Sequence, residues 1–248
     1  MFAEGVLVGY AARDELREAC SRCADWLHPR ERDALRRYCD SEAREAWLAG
    51  RIVSKQLIQQ AVPETCDPRN IEIRSRDRDG RHVRPRIRIA GRPAPWCLSI
   101  SHSLRSVLAA LSLDHHLRVG VDVTPIDDRP AGFLRLWFTE REQERLQTLG
   151  PRDIARYWAA KEAVYKALND GGSFAPRQIE IAPVDDSGAR LRGRVGGRGL
   201  TAECLVETCV YGGEMGATAV WRWPRPAAPV STVDALSLET VPVEPLGG

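Results

Sequence analysis

The chain has 248 residues, 43% of them apolar, so it can bury a core of ordinary size in one large domain or two closely packed halves. Its 36 basic and 34 acidic residues give a formal net charge of +2, which is too balanced to indicate nucleic-acid binding by itself. No segment approaches the roughly 18–20 apolar residues of a membrane helix, and the start of the chain does not have the pattern of a signal peptide. We therefore expect a cytoplasmic protein that makes no use of a membrane.

The first predicted elements are helical and then extended. Apolar residues recur at helical spacing over residues 29–60, with a break expected near Cys39–Ser41, since Asp and Ser favour helix N-caps. Residues 83–90 alternate between arginine and isoleucine and contain a proline, which predicts an edge strand. Between residues 74 and 92, eight arginines stand against two acids, a local charge of 8 − 2 = +6. We expect a negatively charged partner at this surface.

The middle of the chain predicts buried strands. Residues 96–101 and 106–113 are two such strands around a turn, and residues 119–124 form a third. In the third strand, alternation places three valines toward the core and puts Gly120, Asp122 and Thr124 together on the opposite face.

The last third begins with a strong amphipathic helix over residues 151–168. Residues 177–182 and 203–223 have strand-like patterns, and the proline-rich segment 224–248 predicts a disordered tail. No internal repeat is visible along the chain.

Charged residues on the predicted helix attract attention because of their spacing. Lys161 falls on the apolar stripe, and Glu162 and Lys166 are four residues apart, so the last two point the same way. A surface salt bridge with lysines that extend to solvent would explain the same pattern.

Asp122 lies in a run of β-branched residues, where a buried carboxylate is costly without a partner. The Asp122 carboxylate could cap the end of the strand before Pro125. A bound cation would neutralise it equally well. Mg²⁺ takes one or two carboxylates and leaves its other positions to water and phosphate. Asp122 with Glu162 fits that pattern, and hydroxyls and the imidazole in the turn at 99–103 are possible donors to phosphate.

Four blocks occur in order: ISHS at 100–103, GVDV at 120–123, FTEREQERL at 138–146 and WAAKEAVYKAL at 158–168. Together they resemble the signature blocks of the 4'-phosphopantetheinyl transferases, in particular the larger, monomeric, surfactin-synthetase-activating type. The resemblance implies an α+β fold, a pseudo-dimer of two similar α/β halves with the coenzyme A site in the cleft between them. The expected division is 1–118 for the N-terminal half and 119–223 for the C-terminal half.

The resemblance also implies an activity. An enzyme of this family moves phosphopantetheine from coenzyme A to a serine of an apo acyl or peptidyl carrier protein and releases 3',5'-ADP. Such carriers serve polyketide and nonribosomal peptide biosynthesis. The implied partners are therefore coenzyme A, Mg²⁺ and a carrier with an acidic helix, with no nucleic acid, and a monomer is expected.

Site residues follow from the same resemblance. Asp122 and Glu162 are the implied magnesium ligands, Glu162 is the candidate base for the carrier serine, and Lys166 lies near the transferred phosphate. The implied contacts to coenzyme A are Arg84, Ser101, His102, Lys161 and Lys166, with Arg51, Arg30 and Arg32 as candidates for its 3'-phosphate. Glu142 is expected to support the site more than to touch substrate.

Two departures from the family pattern stand out. Thr124 occupies the place where the family usually has a glutamate, so metal affinity or preference is expected to differ, and Ala34 stands where a basic residue is common. Two other functions fit parts of the sequence. One is a non-catalytic coenzyme A or nucleotide binder. The other is RNA binding through residues 74–92, which the lack of interleaved aromatic residues disfavours.

Overall fold

The computed structural model describes residues 5–65, 67–168, 173–185, 188–197 and 200–222. Within them the chain has a mixed α and β architecture. The predicted tail at 224–248 and the predicted glycine stop after the last helix, at 169–172, lie outside the described residues.

The helices and strands follow one another in blocks along the chain. The α-helices are α1 (Arg17–Ser21), α2 (Cys23–Trp26), α3 (Pro29–Leu35), α4 (Ser41–Ala61), α5 (Phe133–Trp137), α6 (Glu140–Leu146) and α7 (Pro151–Leu168). The strands are β1 (Val6–Ala12), β2 (Ile71–Arg76), β3 (His82–Ile89), β4 (Arg92–Ala94), β5 (Cys97–His102), β6 (Ser106–Ser112), β7 (Leu117–Pro125), β8 (Ile179–Pro183), β9 (Arg190–Gly197), β10 (Leu200–Tyr211) and β11 (Glu214–Arg222). None of the helices in these ranges is long and apolar enough to cross a bilayer.

The N-terminal half is built on helix α4, which packs on the antiparallel sheet β1-β6-β5. The predicted break between two helices is confirmed, since Asp40 caps α4 by accepting a hydrogen bond from the N–H of Ala43 at 2.6 Å. Buried residues such as Ile52 and Ile58 form the apolar stripe that holds the helix on the sheet.

A second small sheet in this half corrects one prediction. Strand β3 is not an edge strand, because it lies between β2 and β4 and pairs with both. Pro85 is tolerated there because the register with β2 shifts between Arg74 and Arg76, and the pairing with β4 begins only at Ile87.

The C-terminal half is a five-stranded antiparallel sheet of order β7-β11-β10-β9-β8. Helix α7 packs on it, as the amphipathic pattern predicted, and the segment 203–223 contains two strands that turn at Gly212 and Gly213. Gly120 of β7 permits the close approach of the helix, because a Cβ there would lie 2.0 Å from the carbonyl oxygen of Ala163. The backbone of β7 is therefore pressed against α7.

Side chains join the two halves where β5 runs beside β7. The N–H groups of Val119, Val121 and Val123 donate to side-chain atoms of alternate β5 residues, namely Cys97 Sγ at 3.3 Å, Ser99 Oγ at 3.0 Å and Ser101 Oγ at 3.4 Å. Small polar side chains thus take the place of strand carbonyls, so the β7 donors are satisfied in the interior. The three valines belong to one buried cluster, as alternation predicted.

Both halves contain the same buried ion pair. The ammonium of Lys55 lies 2.5 Å from Oε2 of Glu31, and that of Lys161 lies 2.7 Å from Oε2 of Glu142. In both pairs the other carboxylate oxygen accepts a strand N–H, from Ile73 in β2 at 2.9 Å and from Ile181 in β8 at 2.8 Å. Both glutamates are the N3 residue of a helix with a capping box. This repeat was not visible in the sequence.

Candidate active site

Three of the predicted residues meet where β7, β5 and α7 come together. The ammonium of Lys166 lies 2.7 Å from Oδ1 of Asp122 and donates to Oγ of Ser101 at 3.1 Å. The Ser101 hydroxyl donates in turn to Oδ1 of Asp122 at 2.8 Å. Asp122 is only 7% exposed, whereas the Lys166 side chain is 27% exposed. The lysine therefore reaches from solvent to a nearly buried carboxylate.

Glu162 lies one helical turn before Lys166 and is half-buried. Burial raises the pKa of Glu162, the positive charge of Lys166 lowers it, and the negative charge of Asp122 raises it further. The influence of Asp122 places two carboxylates, one from a strand and one from a helix, within electrostatic reach of each other. Such a pair is stabilised by a bound cation.

His102 follows Ser101 at the end of β5 and is exposed. Partial desolvation, followed by the positive charges of Lys166 and Arg13, lowers the pKa of His102 below its ordinary value, although Asp122 acts in the opposite direction. The imidazole therefore lies in the field of the same charged cluster.

The donor chemistry of this cluster fits Mg²⁺. The carboxylates of Asp122 and Glu162 are hard oxygen ligands, and one or two such groups are what a magnesium site on a phosphate substrate requires. Oδ1 of Asp122 already accepts two hydrogen bonds, which fix the orientation of the carboxylate. A hydroxyl at Thr124, on the same strand face, offers only a neutral oxygen.

The structure buries Lys161, which the resemblance assigns to coenzyme A, among partners of its own chain. This lysine is fully buried, and its ammonium donates to the carbonyl oxygens of Pro176, at 2.8 Å, and Ile179, in addition to its pair with Glu142. Burial lowers the pKa of Lys161, and Glu142 raises it again. The pair anchors α6 and α7 to the start of β8, so the expectation that Glu142 supports the site is consistent with its position.

Arg51 is likewise enclosed by residues of its own chain. Its side chain is 4% exposed, lies over the ring of Trp47 at 4.5 Å, and donates to Oγ of Ser75 at 2.7 Å. Burial lowers the pKa of Arg51, and Glu31 raises it. A guanidinium enclosed in this way is not presented to a phosphate in this arrangement, and the contact of Arg51 with coenzyme A stays a prediction.

Arg84 reaches the site from the other half. Its Nη2 donates to the carbonyl oxygens of Lys166 at 3.2 Å and Ala167 at 2.8 Å, near the end of α7. The last carbonyls of a helix carry partial negative charge, so the guanidinium stabilises the helix end. The contact places Arg84 beside the backbone of Lys166, and its binding to phosphate stays a prediction.

Part of the positive charge of the arginine-rich segment is neutralised by a carboxylate of the same chain. Glu72, with a side chain 5% exposed, lies 2.6 Å from Nε of Arg74 and 3.8 Å from both Nε of Arg88 and Nη1 of Arg30. Glu72 precedes the arginine-rich segment, so the local count of charges did not include it. The candidate Arg30 is thus turned toward this carboxylate.

Sequence reasoning missed two features near the site. Arg129 donates to the hydroxyl of Thr124 at 2.9 Å, and a spacing of five residues across the end of a strand gives no signal for that contact. The pair of Glu31 and Lys55 had no clear sequence signal, because His28 is not a usual N-cap residue, whereas Thr139-x-x-Glu142 does match the capping-box pattern.

Comparison with known proteins agrees with the motifs. Residues 118–212 match the family model described as the 4'-phosphopantetheinyl transferase superfamily. This range contains Asp122, Glu162 and Lys166, and it covers less than half of the chain. The resemblance predicted from the four blocks is confirmed at the level of the superfamily.

Two curated relatives match a shorter stretch. A holo-[acyl-carrier-protein] synthase of Caldicellulosiruptor bescii is 41% identical over 70 residues, which are 25% of this chain and 58% of that protein. Its counterpart from Caldicellulosiruptor saccharolyticus is 39% identical over 70 residues, 25% of this chain and 57% of that protein. The chain thus spans a little more than half the length of these relatives.

Two solved structures also align with part of the chain. A holo-(acyl-carrier-protein) synthase from Bacillus anthracis in complex with CoA (3',5'-ADP) has a TM-score of 0.35 and 19% identity, over 43% of this chain and 92% of that one. The Chronobacterium ammoniagenes ACPS-CoA complex has a TM-score of 0.36 and 25% identity, over 44% of this chain and 98% of that one.

Proposed function

We propose that this protein transfers the 4'-phosphopantetheine group of coenzyme A to a serine hydroxyl of an apo carrier protein, with Mg²⁺ as its metal. The observation that carries the proposal is the cluster of Asp122, Lys166 and Ser101 beside Glu162, inside the region that matches the superfamily. The two curated relatives are holo-[acyl-carrier-protein] synthases, which supports the same activity.

The proposed architecture is a pseudo-dimer with the substrate in the cleft between the halves, as in the larger, monomeric type of the family. The matched pairs Glu31–Lys55 and Glu142–Lys161 support it, because each half uses the same device to fix a helix on its sheet. A single chain with both halves would work as a monomer in the cytoplasm.

The proposed chemistry needs positioning and charge neutralisation more than covalent help from the protein. The serine oxygen of the carrier bonds to the β-phosphorus of coenzyme A, the bond from that phosphorus to the bridging oxygen breaks, and 3',5'-ADP leaves. Glu162 accepts the serine proton, directly or through water. The ammonium of Lys166 donates to the phosphate oxygens as charge moves onto the leaving group.

Mg²⁺ would be held by Asp122 and Glu162 and would offset the charge of the pyrophosphate. Ser101 keeps the Asp122 carboxylate oriented by donating to it, and it would exchange contacts with the substrate from the same position. His102 is exposed beside this cluster, and we assign it to the nucleotide end of coenzyme A. Arg84 is assigned to the same end, where it would add a phosphate contact to its role at the end of α7.

The test is a transfer assay with a panel of apo acyl and peptidyl carriers. The protein is incubated with coenzyme A and Mg²⁺, the carriers are weighed by mass spectrometry, and released 3',5'-ADP is measured in parallel. We expect one phosphopantetheine per carrier serine, dependence on Mg²⁺, and no product from a carrier whose serine is replaced by alanine. Binding of coenzyme A without 3',5'-ADP release on any carrier would instead identify a non-catalytic coenzyme A binder.

A further inference from the structure

The end of strand β7 holds a second basic residue close to the proposed metal position. Thr124 is 7% exposed and lies two residues beyond Asp122 on the same strand face, about 7 Å away along the strand. Nη2 of Arg129 donates to Oγ1 of Thr124 at 2.9 Å and to the carbonyl oxygen of Pro125 at 3.0 Å. The guanidinium therefore covers the position at which a third carboxylate ligand would stand.

The charge of Arg129 is held in place but only weakly neutralised. Its Nη1 lies 3.3 Å from Oδ1 of Asp127, whose side chain is 54% exposed, and a solvated ion pair of this kind contributes little. The guanidinium also lies over the ring of Phe133, 5.4 Å from its centroid. Its Nε is buried and has no hydrogen-bond partner in the part of the chain that the structure describes. Arg129 is thus fixed in position by these contacts, and the accessible part of its side chain, 17% of the whole, belongs to the guanidinium beyond the buried Nε or to its stem.

This arrangement changes the electrostatic balance of the site. A third carboxylate at position 124 would attract a metal, whereas the present residues are two carboxylates, Asp122 and Glu162, and two cations, Lys166 and Arg129. The formal sum of these four side chains is −2 + 2 = 0, and the solvated Asp127 beside Arg129 adds one further negative charge. Lys166 and Arg129 are the two cations that a pyrophosphate between them would contact.

We propose that Arg129 binds the pyrophosphate of coenzyme A, so that position 124 serves the anionic substrate instead of the metal. The inference rests on the proposed function and adds to it the residue that compensates for the absent third carboxylate. A guanidinium suits this task, because its planar donors match phosphate oxygens and it stays charged at any working pH.

The first test measures ligand binding without metal. Titration calorimetry in EDTA compares wild type with Arg129→Gln and Arg129→Lys, and with Arg141→Gln as the matched control, since the Arg141 side chain is 83% exposed on α6. The ligands are coenzyme A and dephospho-coenzyme A, which keeps the pyrophosphate and lacks the 3'-phosphate. We expect Arg129→Gln to weaken both ligands by about tenfold or more, Arg129→Lys to weaken them less, and the control to change neither.

The outcomes separate the two proposals. If wild type binds neither ligand, with or without Mg²⁺, the proposed function itself fails. A loss confined to coenzyme A means that Arg129 contacts the 3'-phosphate, and equal affinity in wild type and Arg129→Gln means that it only braces the strand end; both results overturn the inference. Thermal melting identifies a variant that does not fold, in which case Arg129→Lys, which keeps the charge, decides between the same outcomes.

A second test needs no coenzyme A. Binding of Mn²⁺ as a magnesium probe is measured by electron paramagnetic resonance for Thr124→Glu, with and without Arg129→Gln. Because the guanidinium already touches position 124, we expect the new carboxylate to pair with it, so that Thr124→Glu alone changes metal affinity less than about twofold and the double variant binds about tenfold tighter. A tenfold gain in Thr124→Glu alone would show that Arg129 does not control this position and would overturn the inference.

Discussion

The two halves of the molecule share a buried arrangement of helix, strand and ion pair. They differ in the charged residues that lie next to it. Each has a long helix on an antiparallel sheet, and each fixes that helix with a glutamate and a lysine: Glu31 with Lys55 in one half, Glu142 with Lys161 in the other. A glycine of the neighbouring strand approaches the helix in both cases, Gly9 facing α4 and Gly120 facing α7. Residues of the two halves can be matched by counting along the sequence from these shared features.

The charged cluster has no equivalent in the N-terminal half. Counting from the shared lysines and glycines, the counterparts are Ala11 for Asp122, Gln56 for Glu162 and Gln60 for Lys166. Both glutamines are exposed, and neither carries charge. The comparison teaches that a fully buried ion pair indicates a structural role. A charged residue that reaches solvent next to such a pair, as Lys166 does, is the better candidate for a role at the site. The comparison also explains why Lys161, one residue before Glu162, has a structural role.

The largest effect is expected from breaking the shared framework. Glu31→Ala and Glu142→Ala each leave a buried ammonium without its carboxylate, so each variant should lose about 3–5 kcal/mol of unfolding free energy. Chemical denaturation measures the loss, with Glu144→Ala, an exposed residue of α6, as the control. Similar losses in the two halves would sharpen the comparison, and a loss below about 1 kcal/mol in either would remove that pair from the framework.

The next largest effect is on activity, and we expect it only from substitutions in the C-terminal half. Asp122→Ala and Glu162→Ala should each reduce carrier modification at least a hundredfold, about 2.7 kcal/mol in the barrier, while the fold persists. Gln56→Ala, at the counterpart of Glu162, should leave the rate unchanged. The measurement is the initial rate at saturating Mg²⁺. If Asp122→Ala or Glu162→Ala kept more than about a tenth of the wild-type rate, the barrier would have risen by no more than ~1.4 kcal/mol. We would then drop that residue as a metal ligand.

A smaller effect tests the close contact between strand and helix. A Cβ on Gly120 would meet the backbone of α7 at 2.0 Å, whereas a Cβ on Gly9 would meet side chains, those of Leu57 at 3.1 Å and Val53 at 3.3 Å. Gly120→Ala should therefore cost about 3 kcal/mol of unfolding free energy, and Gly9→Ala about 1 kcal/mol or less. Chemical denaturation compares the two variants. Equal costs would mean that α7 moves aside as easily as a leucine side chain.

The smallest effect concerns pH in the metal-free protein. Burial, and then the charge of Asp122 against that of Lys166, leaves the pKa of Glu162 above its ordinary value. Glu162 therefore has a higher pKa in the folded state than in the unfolded state. Between these two pKa values the folded state binds more protons, so the stability of wild type should fall as pH rises from the lower to the higher value. Glu162→Gln removes this dependence, and urea unfolding in EDTA across the window should show a difference between the proteins that grows with pH. Parallel curves would contradict the raised pKa.

The sequence by itself determined most of the local elements and the candidate site residues. The break between α3 and α4, the alternation in β7 and the amphipathic α7 follow from capping preferences and hydrophobic period, which act within one element. The four motif blocks identified the superfamily and selected Asp122, Glu162 and Lys166, which the fold brings together.

Only the tertiary structure decided the partners of the other charged residues. Lys161, Arg51 and Arg84 differ little as sequence signals, yet the first two are enclosed by buried contacts and the third caps a helix of the opposite half. The central position of β3 and the contact of Arg129 with Thr124 likewise depend on which elements become neighbours. Periodicity and spacing describe a residue along its own helix or strand, whereas burial and ion pairing are set by groups distant in sequence, because those groups determine the desolvation and the compensating charge.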